Sequence, residues 1–167
     1  YKDRATLLFT DTDSLTYEIK TEDIYEDMKA DKHLYDFSDY PKDHPLYDVT
    51  NKKVIGKFKD ETSSKIITEF VGLRAKMYAF KTDKYESKKA KGVKKLVVKN
   101  ELKFQDYKRS LFGVTRTDIQ QQTNFNTIRS YKHEVYTISK IGLCSFDGKR
   151  YLIDNVNTYA YGHYKIK

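Results

Sequence analysis

Asp11-Thr12-Asp13-Ser14 is the densest concentration of potential chemistry in the chain. Two carboxylates two residues apart offer hard oxygen ligands of the kind Mg²⁺ takes. Held on a rigid turn, such a pair suits phosphoryl transfer assisted by two ions roughly 3.5–4 Å apart, one activating the attacking oxygen and one steadying the leaving group. Asp is also a favoured turn residue, so an ordinary acidic hairpin tip accounts for the same four residues. A second concentration lies downstream. Between Arg74 and Lys103 there are 11 basic side chains against Asp83, Glu86 and Glu101. That excess points to a polyanion, with a solvated lysine-rich face as the plain alternative.

The same division runs through the whole chain. Residues 1–60 hold 10 basic and 14 acidic side chains, a net of -4, and residues 61–167 hold 22 and 10, a net of +12, which together give the overall +8. The chain has 167 residues, the length of one ordinary domain, and a mean hydropathy of -0.79. No stretch approaches the roughly 20 apolar residues of a membrane-crossing helix, so neither a helical span nor a membrane partner is expected. Cys144 is the only cysteine, so no internal disulfide can form. His33, His44, His133 and His163 are too scattered to make a zinc site. With 15 Tyr and 9 Phe against 7 Gly and 2 Pro, the composition supplies a folded core. The chain opens on Tyr1 and reaches an apolar strand pattern almost at once, which reads as a piece of a longer protein.

The elements that would hold these residues follow from local pattern. Arg4–Phe9 reads as a buried strand and Ser14–Ile19 alternates as a half-buried one, giving a hairpin with Asp11 and Asp13 at its tip. Thr21 is a candidate N-cap for a short helix carrying Ile24, Tyr25 and Met28. From Lys32 to Asn51, Pro41 and Pro45 among Asp and His predict an irregular surface loop. Lys65–Val71 and Ala75–Phe80 read as strands, Lys84–Lys95 as a charged connection, and Asn100 as the cap of a helix bearing Leu102, Tyr107 and Leu111, with Phe104 and Phe112 widening the stripe. Strand-like runs follow at 119–125 and 134–141. Asp147-Gly148 predicts a hairpin joining Leu143–Phe146 to Arg150–Ile153, and Cys144 reads as a buried thiol. The fold class is α+β, richer in strand than in helix.

Several of these segments, in this order, resemble the family B DNA polymerases, in particular the protein-primed type of viruses, organellar plasmids and self-synthesising transposons. Phe9-Thr10-Asp11-Thr12-Asp13-Ser14 is similar to the family's third catalytic motif, Tyr-x-Asp-Thr-Asp-Ser, with Phe in place of Tyr. Lys76-Met77-Tyr78 is similar to its Lys-x-Tyr element, and Lys89-Ala90-Lys91-Gly92-Val93 to the segment after it. Lys149-Arg150-Tyr151 and Thr158–His163 resemble the end of the transposon-type members. The resemblance implies the last part of a polymerase palm over residues 1–95, an antiparallel sheet with the catalytic hairpin, and a thumb over 96–167. It implies a DNA-directed DNA polymerase that extends a primer 3′-hydroxyl with two Mg²⁺ ions. Asp13 would be the ligand shared by both ions and Asp11 its support, with Thr12 and Ser14 beside the incoming nucleotide. Lys76 and Tyr78 would hold the primer terminus, and Lys91 would touch the duplex backbone. The implied partners are primer-template DNA, deoxynucleotide triphosphates and, as a further candidate, a terminal protein primer.

One departure is plain. The family's earlier Asp-x-x-Ser-Leu-Tyr-Pro motif, which completes the metal site, and its Lys-x-x-x-Asn-Ser-x-Tyr-Gly nucleotide-gripping helix do not occur in this sequence. The expectation is therefore the C-terminal portion of a longer polymerase, inactive alone. A non-catalytic DNA-binding remnant of a decayed mobile element is the alternative. A weaker one is an unrelated basic nucleic-acid-binding module, whose Tyr and Phe rings would form an exposed stacking platform.

Overall fold

The computed structural model describes residues 1–154 and 157–166. Its small, mostly antiparallel sheets and few helices make it an α+β chain. Two compact units are present, Tyr1–Phe70 with Lys81–Glu86, and Val71–Phe80 with Ser87–Lys167.

The first unit opens with β1 (Ala5–Asp11) and β2 (Ser14–Ile19), which pair antiparallel as expected. The register slips between Leu7 and Phe9, so Leu8 is the extra residue of a β-bulge. The expectation that β1 is buried fails, because Leu7 and Leu8 are 49% and 42% exposed. A two-stranded ribbon can cover only one face at a time, and here Leu15 and Tyr17 are also about half exposed.

Helix α1 (Ile24–Ala30) is capped by Asp23, whose carboxylate accepts the Tyr25 N–H. Thr21, the expected cap, instead donates to Asp27 Oδ2 at 2.6 Å.

The predicted surface loop is the larger surprise. With the two-residue parallel pair β3 (Tyr35–Asp36) and β4 (Phe58–Lys59), it builds a core of Met28, Phe37, Tyr40 and Leu46. Phe37 is stacked with Tyr35 and meets Tyr40 edge-on. Two carboxylates replace the missing regular hydrogen bonding. Asp36 accepts the N–H groups of Ser38 and Lys53 and faces the Lys59 ammonium at 3.6 Å. Asp60 accepts Thr62 N–H and Oγ1, Ser64 N–H and the Tyr40 hydroxyl. Burial pushes the Asp36 carboxyl up, but those N–H donors and Lys59 outweigh it and hold it at about 2.

Strands β5 (Ile67–Arg74), β6 (Met77–Thr82) and β7 (Glu86–Ala90) form one sheet in that order. The sequence reading treated β7 as part of a charged connection, since Glu86-Ser87-Lys88-Lys89-Ala90 has low intrinsic β preference. Pairing with β6 overrides that preference. In the second unit α2 (Lys95–Asn100) and α3 (Phe104–Phe112) follow. Asn100 ends α2 instead of capping α3, which begins after Lys103, whose N–H is taken by Asp106 Oδ2 at 2.8 Å. The buried face of α3 is Phe104, Tyr107 and Ser110, while Leu111 and Phe112 are exposed. Phe104 and Tyr107 make the larger core with Val71, Met77, Ala79, Ala90, Val98, Leu102 and Leu143.

The one-turn α4 (Arg116–Ile119) leads into the long antiparallel pair β8 (Gln120–Arg129) and β9 (Glu134–Cys144). Gly142 sits so close to Thr123 that a Cβ there would meet its Cγ2 at 2.4 Å. Cys144 is a buried free thiol, as expected. The Asp-Gly hairpin is not formed as read. Asp147-Gly148 turns the chain, but β10 (Arg150–Leu152) pairs with β11 (Thr158–Ala160), because β9 is already matched along its length by β8.

Candidate functional site

Asp11 pairs with Ser14 across the hairpin, leaving only Thr12 and Asp13 to reverse the chain. The Asp13 N–H donates to the Asp11 carbonyl at 2.8 Å, two residues back, and Thr12 has φ 61°. A hydrogen bond of that span around a positive φ is a γ-turn of the strained kind. Gly or Asn would occupy it cheaply, whereas a β-branched threonine costs on the order of 1–2 kcal/mol. The Ser14 hydroxyl donates to the same Asp11 carbonyl at 3.2 Å, and Thr12 Oγ1 lies 3.5 Å from Asp11 Oδ1. Asp11 is 8% exposed, while Thr12 and Asp13 face solvent. One carboxylate is thus set into the ribbon and the other stands outside it. Behind the tip, the Phe9 ring lies 5.9 Å from Phe70, within the first unit.

Lys76, Lys89 and Lys91 belong to the second unit, whereas Lys81 and Lys84 of the same cluster belong to the first. Lys76 turns the chain between β5 and β6 at φ 57°, and its carbonyl accepts the Lys91 N–H at 2.9 Å. Gly92, at φ 90°, completes that exit in a conformation other residues rarely adopt. The two lysines are therefore fixed to one another by backbone, and both side chains are exposed. Tyr78 is only 7% exposed, with Lys89 Nζ 5.7 Å from its ring centroid. Lys89 also offers its carbonyl to the buried Tyr107 hydroxyl, whose ionisation burial pushes well up.

Not every lysine of the cluster is directed outward. Lys88 Nζ donates to the Leu102 carbonyl and Lys94 Nζ to that of Asn126. Sequence alone carried no signal for these, because which carbonyl a long lysine side chain reaches is decided by the folded arrangement, here one just past the end of α2 and one within β8.

The structure thus brings Asp11, Thr12, Asp13 and Ser14 into one turn, and Lys76 and Lys91 to one strand junction. As hard oxygen donors, Asp11 and Asp13 suit Mg²⁺, which uses one or two carboxylates and completes its shell with water and phosphate oxygens. Among the described residues no group of three or more His, Cys, Asp and Glu is placed to hold a metal ion.

Sequence reading missed Asp36 and Asp60, each of which holds several backbone N–H groups of the first unit. It also missed a parallel stack of Tyr159 on His163, with ring centroids 4.1 Å apart, continued by Tyr164. No family model, curated protein or solved structure matches the chain.

Proposed function

We propose that this chain is the C-terminal portion of a DNA-directed DNA polymerase, part of its palm followed by its thumb, incomplete as a catalyst by itself. The observation that carries the reading is the Asp11–Ser14 turn. A β-branched residue is kept at positive φ between two acids, where a relaxed glycine or asparagine turn would reverse the chain with less strain. The order of the Asp-Thr-Asp-Ser, Lys-x-Tyr and lysine-rich segments supports the same assignment.

In this reading Asp13 and Asp11 hold the metal ions, with a third carboxylate supplied from outside this sequence. When bound, Mg²⁺ supplies Lewis-acid activation of the 3′-hydroxyl and neutralisation of the departing pyrophosphate. The chain's own residues do the positioning. Asp13 projects into solvent where an incoming triphosphate can reach it. Asp11, fixed through its carbonyl by Asp13 N–H and Ser14, keeps the turn from relaxing. Thr12 and Ser14 flank the nucleotide. Lys76 and Lys91 meet backbone phosphates, so that binding is independent of sequence, as template copying demands. Tyr78 lends its ring to the wall beside the primer sugar.

The test is primer extension by the complete enzyme. Asp13→Asn is expected to lower incorporation by at least roughly 10³-fold, because a shared metal ligand is removed. Incorporation at the wild-type rate would overturn the assignment. Lys91→Ala should instead weaken primer-template binding and flatten its salt dependence while leaving turnover at saturating DNA.

A further inference from the structure

We propose that the β10–β11 hairpin and the turn after it form a stacking platform for single-stranded nucleic acid, a site separate from the acidic turn. Tyr151 lies directly opposite Tyr159 across the hairpin, so the two side chains share one face of the ribbon. The Tyr159 ring is parallel to His163, with centroids 4.1 Å apart and planes 7° apart, and His163 in turn lies 4.7 Å from Tyr164. Backbone bonds from His163 to Ala160 and from Ile166 to His163 hold the turn, and His163 Nδ1 accepts the Lys165 N–H at 3.3 Å. The rings are therefore positioned before any ligand arrives.

They are also open. Tyr164 is 83% exposed and Tyr151 45%, with Tyr159 and His163 half-buried between them. An aromatic stack that served only the fold would be covered, and this one ends in solvent. A nucleobase extends such a stack without regard to sequence, because every base has a π-face, and each stacked base contributes roughly 1–3 kcal/mol.

Charge favours the same ligand. Lys149, Arg150 and Lys165 line the hairpin and its turn, with Lys165 Nζ 5.8 Å from the Tyr164 ring. The Arg150 guanidinium is held by Thr158, through Nε to Oγ1 at 2.8 Å and Nη2 to the carbonyl at 3.0 Å. The nearby acids are turned to backbone, Asp147 accepting the Lys149 N–H and Asp154 the Asn157 N–H. Cations beside rings at this spacing suit phosphates that alternate with stacked bases.

The experiment is fluorescence anisotropy of the chain with labelled oligo-dT and oligo-rU of about 20 nucleotides at low salt. Paired Tyr151→Ala and Tyr164→Ala changes should weaken binding by about tenfold or more, and Tyr151→Phe paired with Tyr164→Phe should restore it. Both rings are exposed, so the far-UV circular dichroism should be unchanged. Equal binding of dT and rU supports recognition of base faces alone, and preference for one identifies the strand the platform takes. Failure of the wild-type chain to bind either oligonucleotide, undiminished binding by the double alanine variant, or equal affinity for duplex would each overturn the proposal. The readout is binding of a single strand and not incorporation, so a failed polymerase assignment and a failed platform give different results.

Discussion

The β1–β2 hairpin and the β6–α3 region contradict their own compositions. The hairpin carries a run of apolar residues typical of a core strand, yet Leu7, Leu8, Leu15 and Tyr17 stand about half exposed. The stretch from Arg74 to Lys103, with its 11 basic side chains, encloses Met77 and Ala79 at 1% and 0% exposure and leads into Phe104 and Tyr107. Position along the chain does not explain the difference. A strand is buried only when something lies on its face. β6 has β7 beside it and shares a core with α3, whereas β1 has β2 as its only strand partner among the described residues. The two candidate site regions therefore rest on unlike supports: the lysines on a packed sheet, and the acids on a ribbon kept in shape by its turn.

The comparison is broken most directly by truncating each region. Tyr107→Ala should destabilise the chain by about 3–5 kcal/mol, since it empties a fully buried ring site and strips the Lys89 carbonyl of its donor. Leu7→Ser in the ribbon should change stability by no more than about 0.5 kcal/mol. Urea denaturation of both variants measures the contrast, and equal losses would mean that the hairpin is as well packed as the core.

Asp36 sharpens the comparison from the side of the first unit, whose core depends on a charged group. Asp36→Ala leaves the Ser38 and Lys53 N–H groups without an acceptor, a loss of roughly 1–3 kcal/mol. The Asp36 carboxyl titrates at about 2 in the fold, below its ordinary 3.8, so it stabilises the fold fully above about pH 4. That contribution disappears as pH falls from about 4 through 2. Thermal melts across that window should show wild type converging on Asp36→Asn. Parallel curves would show that the carboxylate charge contributes nothing.

A modest change of the opposite sign is expected at Thr12. Thr12→Gly removes a β-branched side chain from positive φ and should stabilise the ribbon by about 1 kcal/mol. In the complete enzyme the same change should lower incorporation, because the turn that orients Asp11 and Asp13 becomes looser. A variant both more stable and equally active would show that the strain serves no catalytic purpose.

Some of this was legible in the residues. The hairpin with Asp11 and Asp13 at its tip follows from two strand patterns around an Asp-Thr-Asp turn, because both the pattern and the turn are local. Strand β6, the helix around Tyr107 and the buried Cys144 are legible for the same reason: their apolar spacing matches the period of the element. The lysine-rich segment could be seen as a cluster, but not that Lys88 and Lys94 are committed to carbonyls while Lys91 is open.

The rest depends on partners distant in sequence. The 32–51 segment has no period to detect, and its Phe37, Tyr40 and Leu46 are buried because α1 and the Asp60 turn close over them. Asp147-Gly148 is a sound turn signal that was given the wrong strands, since β9 had a better partner in β8. By itself the sequence determined which residues could do chemistry and which stretches could become strands, since both follow from side-chain type and local spacing. The fold decided which strand is covered, which lysine is free to meet a phosphate and which tyrosine reaches solvent, because burial belongs to the assembled surface and not to any segment alone.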